Sequence, residues 1–486
     1  MENINAIITQ AHEAYRLYKN LHKNEIADFL EAIGQSGKEA ENDLVETAME
    51  ETHLAKPRLQ GELQRTVNQT KFFAEMVRNG SWVNVIIDTA DNNRQPPKPD
   101  LRQMQIPLGV VGVFGASNFP FAYSVAGGDT ISALAAGCPV VYKLNPGHPE
   151  TSKKVAEIMT KVITTLGLPT ATFAMLEGQD YETGAQLVSH PLIKAIGFTG
   201  SFKGGKALYD TAAKRNEPIP FYAEMGSVNP VFILPQMLNQ KSAELAEALL
   251  ISNQASLGQF CTNPGVILSE LSADQKSFED HFRTLIQKSS SGKMLANNIA
   301  QNYTKGIEAL KQLGANDVGQ GMGDEGELFG MPEMLTISAD ASLKNPELLH
   351  EVFGPGSLHV AAQNKEELIK VAANLEGQLT ATIWGTDEDM KDYKELLDIL
   401  IEKAGRLIFN GVPTGVEVTP AMVHGGPFPA TTDSRSTSVG TTAIYRFTRP
   451  VCLQNFPDHL LPEALQHDNP LKIIRSVNGS YTDSNG

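Results

Sequence analysis

Cysteine is scarce in this sequence, with only Cys138, Cys261 and Cys452 among 486 residues. Three thiols are too few for a disulfide framework and fit a reducing compartment, so we expect a cytoplasmic protein. Positive charge is also scarce, because 40 lysines and arginines face 56 acidic residues, for a formal net charge of −16. The absence of any basic block argues against nucleic acid or an anionic membrane surface as a partner.

Long uninterrupted apolar runs are missing as well. The first residues show no basic stretch followed by an apolar one, so no signal peptide is predicted. The longest apolar tract, 119–142, is interrupted by glycines, an aspartate and a proline, which indicates a buried helix and strand and no membrane span. The composition is otherwise that of a globular protein, and the length predicts two or three domains.

The order of apolar patterns predicts an α/β protein. The first 90 residues have a helical period, and a polar, proline-rich segment over 91–101 then leads into a predicted β-arm. Strands are predicted at 110–114, 139–143, 172–176, 195–198 and 220–223, with helices between them at 121–136, 150–166, 182–189 and 202–213. This alternation predicts a parallel sheet covered by helices on both faces. A second α/β region follows to about residue 445, and the polar C-terminal stretch is predicted to fray.

Cys261 lies on a predicted loop between a helix over 243–256 and a strand over 266–268. Gly258 ends the helix, and Pro264-Gly265 forces a turn before the strand. A lone cysteine is most often a small buried hydrophobe, but here small and turn-forming neighbours favour an accessible thiol. Because the thiolate is the nucleophile, we expect partly open and electropositive surroundings.

Ligands of parallel sheets bind beyond the carboxyl ends of the strands. Asn118, Lys143 and Glu224 each stand at such an end. After the fourth strand comes GSFKGG, 200–205, whose free N–H groups could hold a phosphate with help from the helix dipole. That segment is not G-x-G-x-x-G, so a plain packed turn is the alternative. Glu224 would disfavour a thiolate if permanently charged beside it, but could serve as a mobile general base for water.

Six ordered blocks resemble the aldehyde dehydrogenase superfamily over nearly the whole chain. They are Asn118-Phe119-Pro120, Lys143 with Pro146 and Pro149, Gly197-Phe198-Thr199-Gly200-Ser201, Glu224-Met225-Gly226, Gly258-Gln259-Phe260-Cys261 and Glu351-Val352-Phe353-Gly354-Pro355. Three further stretches, at 230–232, 261–265 and 424–432, are similar to one branch. That branch holds the α-ketoglutaric semialdehyde (2,5-dioxopentanoate) dehydrogenases and an NADP-dependent bacterial fatty aldehyde dehydrogenase.

The resemblance implies a covalent mechanism. Cys261 would attack the aldehyde carbon, and the Asn118 amide with the Cys261 backbone N–H would hold the developing oxyanion. Hydride would then leave for the cofactor, and Glu224 would activate the water that hydrolyses the thioester. His424 resembles a histidine with an acid–base role in the fatty aldehyde relative, and a purely structural histidine is equally open.

The resemblance also implies NADP or NAD as cofactor and no metal. Lys143 would bind the adenosine ribose, Ser201 the pyrophosphate, and Glu351 the nicotinamide ribose. NAD-preferring members often carry Glu where Pro146 stands, and Lys206 lies just inside the phosphate helix, so NADP or dual use is favoured. The predicted cofactor residues are Lys143, Pro146, Gly200, Ser201, Gly204, Lys206, Met225, Gly226, Glu351 and Phe353. Adjacency to the motifs alone assigns Phe121, Phe260, Thr262 and Phe428 to a substrate tunnel.

The implied fold has a Rossmann-like parallel-sheet cofactor domain (1–90 and 113–228) and a second α/β catalytic domain (229–445). A small β oligomerisation arm (91–112 and 446–458) and a C-terminal tail (459–486) complete it, and a homodimer or homotetramer is expected.

The favoured reaction is oxidation of a small-molecule aldehyde, 2,5-dioxopentanoate, to 2-oxoglutarate. The alternative is a medium- or long-chain fatty aldehyde. CoA-acylating or phosphate-reducing relatives would lack Glu224, and a non-catalytic protein would lack Cys261. An aromatic tunnel suits an aliphatic chain, whereas a semialdehyde with a carboxylate needs a cation that the sequence does not place.

Overall fold

The computed structural model describes residues 3–483, and four helices open the chain. They are α1 (Ile4–Tyr18), α2 (Lys23–Glu39), α3 (Glu41–Thr52) and α4 (Lys56–Asn79). Pro57 occupies the first turn of α4, where its missing N–H costs nothing. Gly80 ends that helix in the left-handed conformation, with φ of 74°. Within residues 3–483, every helix is too short or too polar to cross a bilayer.

The first sheet is parallel throughout, in the order β5-β4-β3-β6-β7. Its strands are β3 (Val110–Phe114), β4 (Val140–Lys143), β5 (Phe173–Leu176), β6 (Ile193–Thr199) and β7 (Phe221–Glu224). Its helices are α5 (Gly128–Ala135), α6 (Pro149–Thr165), α7 (Tyr181–Ser189) and α8 (Phe202–Ala213). The sequence therefore predicts all five strands, and the Rossmann-like α/β fold is confirmed.

The helix predicted at 121–136 is shorter than expected. Residues 119–127 form turns, in which the Ala116 N–H donates to the Tyr123 carbonyl and the Gly127 N–H to that of Ser124. This segment is buried on almost every side, so its apolar residues carry no helical period that could separate a helix from a buried turn.

The second sheet has seven strands in the order β11-β13-β14-β9-β8-β15-β16, of which only β11 runs antiparallel to its neighbour. Its strands are β8 (Val231–Ile233), β9 (Val266–Glu270), β11 (Asn316–Gln320), β13 (Glu333–Ser338), β14 (Gly356–Ala362), β15 (Gln378–Trp384) and β16 (Ala404–Phe409). The short strands β10 (Gly292–Lys293) and β12 (Phe329–Gly330) pair separately.

The helices around the second sheet lie between its strands along the chain. They are α9 (Pro235–Gln254), α10 (Ala273–Ile286), α11 (Asn297–Gln312), α12 (Ala339–Lys344), α13 (Lys365–Asn374), α14 (Asp387–Asp392) and α15 (Lys394–Lys403). Together with the sheet they bury a continuous apolar core that includes Phe232, Leu268, Leu335 and Leu368.

The β-arm takes in more of the chain than the sequence predicts. Its sheet has the order β17-β2-β1-β18-β19, made by β1 (Ile86–Asp88), β2 (Leu101–Pro107), β17 (Thr448–Gln454), β18 (Arg475–Val477) and β19 (Ser480–Thr482). Two elements thus differ from expectation: β1 falls before residue 91, and residues 475–482 of the stretch predicted to fray form a hairpin, while 484–486 lie outside the described residues. Asn478-Gly479 has positive φ at both residues and turns that hairpin, a recognised Asn-Gly signal. The boundary predicted at 112/113 also falls inside β3.

A strap of residues 424–432 joins the two main sheets. The Met225 N–H, just after β7, donates to the Ala430 carbonyl at 2.8 Å, and Glu224 forms an isolated bridge with Thr431. On the other side the strap presses on β16, where a Cβ at Gly405 would lie 2.3 Å from the Gly425 oxygen. A side chain at that position therefore has no room unless the strap moves.

Gly405→Ala should lower the free energy of unfolding by about 1–3 kcal/mol, because the added methyl overpacks a backbone contact. Urea unfolding would measure it. Gly61→Ala is the matched control, since a Cβ at Gly61 in α4 meets nothing within 4 Å and alanine favours a helix. Equal stability of the two variants would contradict the close contact of strap and sheet.

Candidate active site

Three groups far apart in sequence meet between the two sheets. Nε2 of His424 lies 3.4 Å from Sγ of Cys261 and 2.8 Å from Oε1 of Glu224. His424 and Glu224 are 1% and 3% exposed, whereas Cys261 is half-buried. Since a single imidazole nitrogen faces both the thiol and the carboxylate, the ring is placed to carry a proton between them.

Thr437 and Ser438, which follow the strap in sequence, hold the backbone of His424 and the carboxylate of Glu224. The Ser438 hydroxyl donates to Oε2 of Glu224 at 2.6 Å, and the backbone N–H of His424 donates to the Thr437 hydroxyl oxygen at 2.9 Å. Nδ1 of His424 has no hydrogen-bond partner, so no second acceptor holds the ring in one tautomer. Its hydrogen bonds to Glu224 and Cys261 favour the acid–base interpretation over a structural histidine.

The loop that carries Cys261 is held by hydrogen bonds from Asn229 and by a close backbone contact at Gly258. The buried amide of Asn229 donates to the carbonyls of Cys261 and Asn263, both at 2.9 Å. Ahead of the thiol, Gly258 adopts φ of 64°, and a Cβ there would lie 2.0 Å from the Gly354 oxygen. Glycine at position 258 therefore allows the loop to touch the segment that follows Glu351.

The surroundings of the thiol differ from the electropositive site that the sequence predicts. Burial, and then the negative charge of Glu224, raise the pKa of Cys261 well above its ordinary value, and the Arg65 charge offsets this only in part. For Glu224 itself, burial alone would raise the pKa, but the charge of His424 and the hydrogen bonds from His424, Ser438 and Cys261 lower it. The resting site thus favours a thiol beside a carboxylate.

The same three groups offer a thiol sulfur, an imidazole nitrogen and a carboxylate oxygen, all within 4.8 Å of one another. Such atoms could ligate a cation such as Zn²⁺. His424 and Glu224 already share a proton in a hydrogen bond. The three groups can therefore serve in proton transfer without a metal ion.

Asn118 lies in the first turn after β3, as the sequence predicts. Its Nδ2 donates to the carbonyl of Gln259 at 2.9 Å, two residues before Cys261. Its own carbonyl accepts a bond from Nη2 of Arg58 at 2.9 Å. The amide is therefore fixed beside the nucleophile loop, where its second N–H could reach an oxygen on a carbon bound to Sγ.

The residues predicted to bind the cofactor phosphates lie around the N-terminus of α8. Oγ of Ser201 accepts a bond from the Gly204 N–H at 3.3 Å, which makes Ser201 the cap of that helix. The Gly200 N–H donates to the Glu224 carbonyl at 3.1 Å, so this turn lies next to β7. The Met225 side chain is buried below α8, and a Cβ at Gly205 would lie 2.8 Å from its sulfur.

A cleft lies on the other side of the nucleophile loop and contains Glu351 and Phe353. The Gly226 position allows Glu351 to approach, because a Cβ there would lie 2.4 Å from Oε2 of Glu351. The protein around the cleft desolvates this carboxylate and raises the pKa of Glu351 to about 7.

The two lysines expected near the adenosine ribose, Lys143 and Lys206, differ in how far their charge is free to meet a cofactor. Nζ of Lys143 donates to the Gln179 carbonyl at 3.2 Å, and partial burial lowers the pKa of Lys143. Pro146 is exposed. Lys206 is paired with both carboxylate oxygens of Asp210 at 2.7 Å, so the charge that was expected to favour a 2′-phosphate is already neutralised locally.

The four residues assigned to a tunnel have different positions. Phe260 stacks on Phe119 at 5.4 Å between ring centroids, and the Arg58 guanidinium covers Phe119. Phe121 is buried in the apolar core of the first sheet and its helices. Thr262 is buried. Phe428 is 53% exposed and packs on Phe202 at the start of α8, which is the phosphate side.

Sequence reasoning missed several residues of this site, chiefly Arg65, Tyr123, Asn229 and Ser438. Asn229 carried a signal, since this asparagine stands three residues after the Glu224-Met225-Gly226 block. Ser438 and Arg65 carried none, because each lies on a segment that no motif marks.

The chain belongs to the aldehyde dehydrogenase family, whose model matches residues 1–431. It is an oxidoreductase that acts on aldehydes. It is 45% identical over 492 residues to an alpha-ketoglutaric semialdehyde dehydrogenase of Acinetobacter baylyi, covering 100% of this chain and 92% of that one. A second relative, alpha-ketoglutaric semialdehyde dehydrogenase 2 of Azospirillum brasilense, is 45% identical over 471 residues and covers 96% and 90% of the two chains.

A solved structure shares the fold at lower identity. The glyceraldehyde-3-phosphate dehydrogenase GapN of Methanocaldococcus jannaschii, complexed with NADP, matches with a TM-score of 0.78 and 20% identity over 93% of each chain. At that identity the likeness concerns the fold.

Glu224→Gln should raise the rate at which iodoacetamide alkylates Cys261 near pH 7.5 by about tenfold, because losing a neighbouring negative charge lowers a thiol pKa by about one unit or more. The rate would be measured by mass spectrometry in a Cys452→Ser background, since Cys452 is exposed. The control is Glu279→Gln, which removes a carboxylate that is bonded to His359. Slower alkylation in Glu224→Gln would mean that Glu224 activates the thiol.

Proposed function

We propose that this chain oxidises 2,5-dioxopentanoate to 2-oxoglutarate with NADP or NAD. The convergence of Cys261, His424 and Glu224 carries the proposal, because this arrangement can both form and hydrolyse a thioester. The substrate follows from the names of the two relatives at 45% identity.

The first half of the reaction rests on the thiol and its neighbours. Sγ of Cys261 adds to the aldehyde carbon, and its proton passes by way of Nε2 of His424 to Glu224, which releases it to solvent before the second half. The Asn118 amide and the Cys261 N–H donate to the resulting oxyanion, where one such donor is typically worth about 3–4 kcal/mol. A nicotinamide, when bound, would supply the hydride acceptor, and loss of hydride from the same carbon would leave a thioester on Cys261.

The second half needs a base. Glu224, with a lowered pKa and a hydrogen bond to His424, takes a proton from water, which attacks the thioester carbon. The acid leaves and the Cys261 thiol is restored. A free acid and not a CoA ester is therefore the expected product.

The residues present fit a nicotinamide dinucleotide. Lys143 would meet the adenosine ribose, while the turn of Gly200, Ser201 and Gly204 at the start of α8 would meet the pyrophosphate through the helix dipole, since the Gly200 and Gly204 N–H groups already bond to the Glu224 carbonyl and to Oγ of Ser201. Glu351, above Gly226, would bind the second ribose, with Phe353 beside it. Pro146 supports use of NADP because it supplies no repelling carboxylate, whereas the Lys206–Asp210 pair weakens that preference.

We also propose that the arm joins copies into a homodimer or homotetramer in a reducing cytoplasm. The edge strand β17 supports this, because most of its side chains are exposed and one of its edges pairs with no strand in the part of the chain that the structure describes.

The proposal is tested by following NADPH and NADH formation from 2,5-dioxopentanoate without added CoA. The wild-type enzyme should release 2-oxoglutarate, and Cys261→Ala should retain less than a few per cent of its kcat while still binding cofactor. Cys452→Ala, on the arm, is the matched control and should be unaffected. A requirement for CoA, or substantial turnover by Cys261→Ala, would overturn the mechanism.

A further inference from the structure

One arginine beside the site has no carboxylate to pair with. Arg65 lies on α4, and its Nη1 is buried without a hydrogen-bond partner. Within residues 3–483 it takes part in no ion pair of the kind that Arg58 makes with Glu62 or Arg78 with Glu31. A buried donor without an acceptor is costly, and the charge of Glu62 reaches Arg65 without bonding to Nη1, so an anionic acceptor for Nη1 is to be expected there.

The ring of Tyr123 lies between the Arg65 guanidinium and the His424 ring. Its guanidinium lies 5.3 Å from the centroid of the Tyr123 ring, and that ring lies 6.3 Å from the His424 ring. The Tyr123 hydroxyl is buried, and like Nη1 of Arg65 it has no hydrogen bond of normal geometry. The two groups therefore lie side by side and influence each other, and the charge of Arg65 reaches the thiol electrostatically.

The nearest acid cannot supply the missing partner. Glu62, one turn before Arg65, accepts bonds at Oε1 from the N–H groups of Phe121 and Ala122, both at 2.8 Å. Its other oxygen accepts a bond from Arg58. Arg58 is likewise engaged, because it also bonds to the Asn118 carbonyl and the Ser256 hydroxyl.

A second cation lies in electrostatic range of the same thiol. Arg406 on β16 holds the carbonyls of Pro413 and Gly415 with its two Nη atoms, while its Nε is buried without a partner. The charges of Arg406 and Cys261 act on each other. Arg406 therefore adds positive potential, but its two Nη atoms are already held by backbone carbonyls, whereas Nη1 of Arg65 has no such partner.

We propose that Arg65, with the Tyr123 hydroxyl, binds the carboxylate at the far end of an aldehyde substrate whose aldehyde carbon lies at Cys261. The inference rests on the proposed function and defines its substrate class as short aldehydes that carry a carboxylate. Arginine suits this role because its planar fork matches a carboxylate in two parallel hydrogen bonds. It also supplies the cation that the sequence does not place, and it disfavours neutral fatty aldehydes.

The test compares a charged and a neutral aldehyde of equal length. For Arg65→Met, kcat/KM with 2,5-dioxopentanoate should fall by about 10- to 100-fold, mostly through KM, which corresponds to about 1.4–2.8 kcal/mol. With pentanal it should fall clearly less, because only the influence of the Arg65 charge on the Cys261 thiol is then lost. Arg65→Lys should fall less than Arg65→Met, since it keeps the charge and loses the fork. The control is Lys71→Met, an exposed cation on the same helix, which should match the wild type with both substrates.

A second measurement needs no variant. Glutarate should inhibit wild-type oxidation of pentanal competitively, and neutral pentanamide should not. Equal losses with both aldehydes in Arg65→Met, or no inhibition by glutarate, would overturn the carboxylate site while leaving aldehyde oxidation intact. If the wild type oxidised neither aldehyde, the proposed function itself would fail.

Discussion

The hydrogen bond between His424 and Glu224 is the contact on which the rest of the site depends. Glu224 ends the last strand of the first sheet, and His424 begins the strap that presses on the second sheet. Both groups are almost fully buried, so neither could be left unpaired without a large desolvation cost. Their pairing therefore aligns the two domains and, at the same time, brings Nε2 to the thiol of Cys261.

A buried carboxylate beside a thiol has consequences for the order of the chemistry. Before substrate arrives, burial and then the negative charge of Glu224 raise the pKa of the Cys261 thiol, which would slow unwanted alkylation or oxidation. Once the sulfur is acylated it no longer carries a proton, and the same carboxylate is free to act on water. One pair of groups can thus serve both halves of the reaction, with His424 moving the proton between them.

Much of the fold and part of the site could be predicted from sequence, because short motifs mark local backbone requirements. Gly258 and Gly226 mark places where the backbone lies close to Gly354 and to Glu351. Glu224 ends a strand, and Cys261 lies on a loop before one. Contacts across 163 and 200 residues, from His424 to Cys261 and to Glu224, had no local signal. Adjacency also could not say which way a side chain points: Phe121 was expected in a substrate tunnel and lies in the core, whereas it is Phe119 that contacts Phe260. Arg65 follows no motif at all.

The most direct test of the account is rapid mixing of Glu224→Gln with aldehyde and NADP. We expect a burst of about one NADPH per subunit, followed by slow turnover, with the acyl group on Cys261 detected by mass spectrometry. That result would assign Glu224 to thioester hydrolysis. A slow first turnover without a burst would contradict the account and move Glu224 into activation of the thiol.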